Sequence, residues 1–175
     1  MSRQNCDTKD LRVLDFKSDD TQFLRDERAV VHWISKYSLD RGGDRVYPEG
    51  MNDSDFQKGR TVLFNHDFNS PCAKNLWLKV KPEEGVLAKT QFGTTEFAND
   101  IYTLNLEGIL TSWSIGFIIP SEEGACKYVP ETNEFFINKW NLYEYSNVSV
   151  PMNADCITTA KGIVKSLGAK SFLLT

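Results

Sequence analysis

Apolar and polar residues alternate with period two along most of the chain, and only two long stretches repeat at the helical period. Residues 29–35 (Ala-Val-Val-His-Trp-Ile-Ser) are β-branched and aromatic and read as a buried strand. That strand runs out at 40–45, where Gly42 and Gly43 between Asp40 and Asp44 mark a sharp turn. Residues 61–65 predict another strand leading directly into His66 and Asp67, and 68–71 (Phe-Asn-Ser-Pro) carry turn chemistry. Residues 75–81 and 86–92 predict a hairpin across Pro82-Glu83-Glu84-Gly85. Further strands are predicted at 109–119 and at 140–150, the latter stopped by Pro151, with a short hairpin at 127–129 and 134–137 between them.

The helical period appears twice. Behind a Thr94 or Thr95 cap, Phe97, Ala98, Ile101 and Leu104 form one stripe that Gly108 ends. From 154 to 167, Ile157, Ala160, Ile163, Val164 and Leu167 form another. A brief helix is expected from an Asn52 cap to about Lys58. The sum is an α+β fold, mainly β: an antiparallel β-barrel or curled sheet with about two packed helices. Residues 1–27 are polar, broken by 11–16 (Leu-Arg-Val-Leu-Asp-Phe), and read as an edge strand or a loosely attached arm disordered at its start, with residues 28–175 as one domain.

Composition narrows the function without choosing it. The chain has 175 residues, 41% hydrophobic and 25% charged, with a net charge of −4. These values describe a globular protein with a proper core and no basic footprint for nucleic acid. No run of apolar residues is long enough for a membrane helix, and the N-terminus does not read as a secretory signal. Cys6, Cys72, Cys126 and Cys156 are scattered and read as free thiols. Two histidines and no paired cysteines offer too few ligands for zinc, so neither a metal nor a cofactor is called for.

The chain's chemistry centres on residues 111–117 (Thr-Ser-Trp-Ser-Ile-Gly-Phe). As a strand they put Trp113, Ile115 and Phe117 on one face and Ser112, Ser114 and Gly116 on the other. Ser114 then stands beside a residue with no side chain, either as ordinary surface or as a hydroxyl that a substrate can reach. His66, at the exit of a strand and on the face of Val62 and Phe64, is either a satisfied structural histidine or a base. Glu144 alternates in phase with Trp140, Leu142, Ser146 and Val148. A carboxylate on an apolar row has to be paired or hydrogen-bonded, by a salt bridge at a strand edge or by a functional partner.

Together the three residues offer a nucleophile, a base and a group to orient the base. The oxyanion donors would be backbone N–H groups or a basic side chain near the serine. Gly116 leaves the backbone approachable, and the segment Met152-Asn153-Ala154 opens the second predicted helix, whose first N–H groups would be free. Two other readings compete: a thiol hydrolase using Cys72 with His66, and a small-ligand or oligosaccharide-binding barrel.

Four motifs occur in order: Asp40-Arg41-Gly42-Gly43-Asp44, Val62-Leu63-Phe64-Asn65-His66-Asp67, Ser114-Ile115-Gly116-Phe117, and the run from Leu142 through Glu144 and Ser146 to Asp155. In this the chain resembles the tailed-phage prohead proteases, serine peptidases of head maturation distantly similar to the herpesvirus assemblins. The resemblance spans about residues 28–167. It implies Ser114 as nucleophile, His66 as general base and Glu144 as the third member. Herpesvirus enzymes use a second histidine there, but His32 lies far from the matching place. Met152 stands where the family has a small residue, and residues 128–137 match nothing specific. The implied partners are the major capsid protein with its scaffold segment and the protease's own chain, inside the assembling procapsid in the host cytoplasm. The alternative is a non-catalytic scaffold or internal capsid-assembly protein on the same fold.

Overall fold

The computed structural model describes residues 22–158. The chain opens with β1 (Gln22–Leu24) and β2 (Ala29–Lys36), followed by β3 (Asp44–Val46), β4 (Met51–Asn52) and a single turn of helix, α1 (Phe56–Gly59). Next come β5 (Thr61–Phe64), β6 (Asp67–Lys81), β7 (Gly85–Phe92) and the helix α2 (Glu96–Leu106). The remainder is β8 (Ser112–Ile118), β9 (Cys126–Val129), β10 (Glu134–Ile137) and β11 (Trp140–Val148).

The fold is mainly β with two helices. The sheets are mixed, where the sequence suggested an antiparallel barrel or curled sheet. In the large sheet the order is β1-β2-β7-β6-β5-β11-β4, with β8 on the other edge of β11. Most neighbours are antiparallel, but β11 runs parallel to β5 and β4, and β10 parallel to β3 in a separate three-stranded sheet. The large sheet curls until His32 of β2 stacks on Trp113 of β8, ring centroids 3.4 Å apart. No strand ladder joins β2 to β8 among the described residues, so the barrel is not closed.

Local chemistry accounts for the elements and for several departures from expectation. Thr95 caps α2 by accepting from the Ala98 N–H, and Gly108 follows with φ +73°, as a helix end of this kind requires. The helix buries Ala98, Ile101, Tyr102 and Asn105, whereas Phe97 is exposed. Asn52 caps no helix: its carboxamide accepts from the Ser54 N–H, and α1 starts only at Phe56. At the end of the expected arm, β1 pairs with β2 as an edge strand.

The turn expected at 68–71 lies one step earlier. Phe64 faces Asp67 across a two-residue hairpin whose central pair, Asn65 and His66, has φ values of +50° and +59°. Phe68, Asn69 and Ser70 lie within β6 but bulge from the ladder, between the pairs Phe64–Asp67 and Leu63–Pro71. Residues 154–158 form a turn and one bridge (Ser112 to Ile157) instead of opening a helix, and the remainder of that predicted helix lies outside the described residues, as do residues 1–21.

The main core lies on one face of β8 and β11. Trp113, Trp140, Leu142 and Tyr145 are almost completely buried there, with Phe92, Ile101 and Tyr102. Burying side chains of this size stabilises the fold by roughly 1.5–3 kcal/mol each. The residues that carry candidate chemistry lie on the opposite face.

Candidate active site

β11 places Glu144 through a change of phase that the alternation conceals. Leu142 pairs with Phe117 and Glu144 with Gly116, so Tyr143 is an extra residue on β11. Its ring is thrown outward, 59% exposed. Before this bulge Trp140 and Leu142 face the core; after it Tyr145 does, and Glu144 and Ser146 turn to the other face. Glu144 is therefore not in phase with Leu142. It shares its face with Ser146 and, across the strand pair, with Gly116 and Ser114.

Gly116 makes that placement possible. A β-carbon at Gly116 would lie 2.1 Å from Glu144 Oε1, so the carboxylate occupies the space a side chain would fill. The glycine keeps the strand clear for the carboxylate, a close approach to the backbone of the kind a residue without a side chain permits.

His66 comes to Glu144 from the neighbouring strand pair. Its backbone is left-handed, a region costing about 1–2 kcal/mol for a residue with a β-carbon, at the turn position where glycine is favoured. Three contacts hold the turn against β11: Asn65 N–H to Asn147 O at 3.0 Å, Ser149 N–H to Asn65 Oδ1 at 3.0 Å, and His66 N–H to Ser146 Oγ at 3.1 Å. The imidazole then meets the carboxylate, Nδ1 to Oε1, at 2.6 Å. Glu144's side chain is 8% exposed and that of His66 is 40% exposed. The hydrogen bond that His66 donates to Glu144 raises the histidine's pKa above its ordinary value against an opposing effect of partial burial, and the carboxylate's charge adds to the rise. Ser146 completes the cluster, its hydroxyl donating to Glu144 Oε2 at 2.8 Å.

Ser114 lies directly opposite Ser146 in the β8–β11 register and is 5% exposed. The structure thus brings the serine to the same face of the same strand pair as Glu144, and His66 onto that carboxylate. The Ser114 hydroxyl has no hydrogen-bond partner among the described residues, so the expected bond to His66 is not formed here. A cavity of about 110 Å³ touches Ser114, Asp40, Met152 and Asn153 but is lined along β8 by Trp113, Ile115 and Phe117 of the core face, and neither His66 nor Glu144 borders it. Burial, then the nearby Asp40 charge, raises the pKa of the Asp44 carboxyl.

Met152 and Asn153 lie at this cavity, though not at a helix start. The Met152 carbonyl accepts from the Arg41 N–H at 3.1 Å, and the Arg41 guanidinium reaches the Pro151 carbonyl. The Asn153 carboxamide donates to the carbonyls of Lys36 (3.0 Å) and Ser38 (3.3 Å) and accepts from the Ser38 hydroxyl and the Asp155 N–H. This side chain fixes the loop to the end of β2.

The thiol alternative fails on burial. Cys72 is 2% exposed, its thiol turned to the Val62 carbonyl, and burial pushes its pKa up to about 12. His32, the other histidine, is enclosed between Trp113 and the Thr90 hydroxyl (2.8 Å), and burial pushes its pKa down to about 3. Reading the sequence alone leaves Ser146 without a role and Gly116 with a different one. The Glu-x-Ser spacing on one strand face was the available signal for the first; the second needs the register between two strands.

Among the described residues no helix is long and apolar enough to cross a membrane. No solved structure matches the chain. The chain is 29% identical over 143 residues to the prohead protease of Escherichia phage T5, covering 79% of this chain and 65% of that protein. It thus spans about 65% of the length of that curated relative. The family model for the caudovirus prohead serine protease matches residues 18–167, which include every residue of the cluster described above. The chain belongs to the caudovirus prohead serine protease family.

Proposed function

We propose that the chain is a serine endopeptidase that cleaves capsid and scaffold proteins, and its own chain, inside the immature head assembling in the host cytoplasm. The observation that carries this reading is the 2.6 Å His66–Glu144 pair, set on the face where Ser114 presents an unengaged hydroxyl. In the reaction, Ser114 Oγ attacks the scissile carbonyl carbon as His66 Nε2 takes its proton. Glu144 holds the proton on Nδ1, which leaves Nε2 free to accept, and stabilises the imidazolium that forms. The imidazolium then protonates the departing amine, and water repeats the sequence on the acyl-enzyme.

The serine–histidine bond belongs to the substrate-bound state, in which catalytic contacts commonly tighten. The Met152–Asn153 segment, which borders the same cavity as Ser114, would supply the backbone N–H donors for the developing oxyanion. Inside a shell the local concentration of cleavage sites is high, so each site can be bound weakly and still be cut.

The test is co-expression with the major capsid protein of the same phage, read on gels and by labelling with a fluorophosphonate. Wild type should process the capsid chain and label at Ser114, and Ser114→Ala should do neither. Normal processing by Ser114→Ala would remove the nucleophile assignment. A wild-type protein that neither cuts nor labels would instead be a non-catalytic assembly component.

A further inference from the structure

We infer that Ser146 is a positioning residue for the His66–Glu144 pair, a role that rests on the catalytic reading above. Its hydroxyl makes two contacts that no other described residue combines. It donates to Glu144 Oε2 at 2.8 Å and accepts from the backbone N–H of His66 at 3.1 Å. One oxygen atom therefore ties the side chain of the carboxylate to the main chain of the base.

The need for such a tie follows from the two partners. A carboxylate held at one oxygen can still pivot about its terminal torsion, which is broad and not confined to one staggered well. Here Oε1 carries the imidazole and Oε2 carries Ser146, so the plane is set at both ends. The His66 turn is strained at two consecutive left-handed residues, and it persists because its N–H groups have acceptors on β11. Ser146 is wholly buried, so water cannot replace either contact. Its proton is committed to Glu144, which also separates it from Ser114, the hydroxyl across the ladder with no partner.

Three variants test this. Ser146→Ala removes both contacts. Ser146→Cys keeps nearly the same shape but offers only a weak donor and acceptor. Ser146→Thr keeps the hydroxyl. The first readout needs no activity: the Nδ1–H proton of His66, in a hydrogen bond with 2.6 Å between Nδ1 and Glu144 Oε1, gives a far-downfield NMR resonance in wild type. That resonance should broaden or vanish in the alanine and cysteine variants and persist in the threonine variant. On a cleavage-site peptide, kcat should fall about a hundredfold in the first two while KM changes little, since loosening a reacting group by about 1 Å costs that much.

A resonance that persists in both Ser146→Ala and Ser146→Cys overturns the proposal, whatever happens to the rate. If Ser114→Ala stays active the catalytic reading fails, yet the resonance still reports whether Ser146 positions the pair. If the threonine variant does not fold, wild type against Ser146→Cys decides the matter alone.

Discussion

Replacing Gly116 by alanine adds one methyl group at the point where the Glu144 carboxylate passes over β8. Its carbon would sit 2.1 Å from Oε1, 3.0 Å from Cδ and 3.3 Å from Cγ, so the glutamate has to leave. Overpacking of a close-fitting site costs about 1–3 kcal/mol. The displaced carboxylate also gives up a charge-assisted hydrogen bond to His66, a class of bond contributing about 1.5–3 kcal/mol. Because the glutamate relieves the clash by moving, the two losses overlap, and about 2–4 kcal/mol is expected in urea unfolding. A domain with a stability of about 5–15 kcal/mol remains folded after such a change.

The second measurement is the titration of His66, and the sequence makes it clean. The chain has two histidines, and His32 stays neutral because burial holds its pKa near 3. The imidazole whose titration is followed is therefore His66. In wild type its pKa lies above the ordinary 6.5 because Glu144 accepts from it; in Gly116→Ala it should fall. A folded Gly116→Ala protein with wild-type stability and an unmoved His66 titration would refute the account of this glycine.

Other substitutions extend the reasoning. In Glu144→Gln the acid limb of the cleavage rate should shift to lower pH, because His66 loses the partner that raises its pKa and becomes the neutral base earlier. A raised folded-state pKa adds stability that is complete below about pH 6.5 and is lost as pH rises through the folded value. The stability gap between wild type and Glu144→Gln should thus be wider at about pH 6 than at about pH 9, as read by urea midpoints. Trp113→Ala, at a wholly buried position stacked on His32, should cost about 3–5 kcal/mol and lower the melting temperature steeply. Among the described cysteines, iodoacetamide should modify exposed Cys126 in the native protein and reach buried Cys72 and Cys156 only in denaturant, as mass spectrometry of peptides would show.

The polar residues of the cluster are legible in the sequence for a simple reason: a serine, a histidine and a glutamate next to apolar strands need a physical account. What brings two of them into contact is not legible. The bulge at Tyr143 cannot be read from Trp140 to Val148, because a two-residue alternation can be drawn through it in either phase and only the pairing with β8 selects one. The hairpin at Asn65-His66 was hidden by its second residue, since glycine is the usual sign and Phe68-Asn69-Ser70-Pro71 has more turn-forming residues. The parallel seating of β5 and β4 on β11 joins segments separated by more than seventy residues, which no local pattern encodes. Helix α2 was legible to its ends because its signals are local: a threonine cap and a glycine with positive φ.

β11 carries Glu144 and Ser146 on one face and Tyr145 and Asn147, wholly buried, on the other. Four consecutive residues thus belong alternately to the reactive cluster and to the interior. The β11 part of the cluster therefore has no hinge of its own along which it could melt while the rest of the sheet persisted. On heating, loss of cleavage should coincide with loss of the near-ultraviolet signal of the buried aromatic rings, and the amides of residues 144–147 should exchange with solvent only through opening of the whole sheet. On the proposed reading, a protease built this way would not be switched off by loosening its site, and control would fall to which chains are enclosed with it.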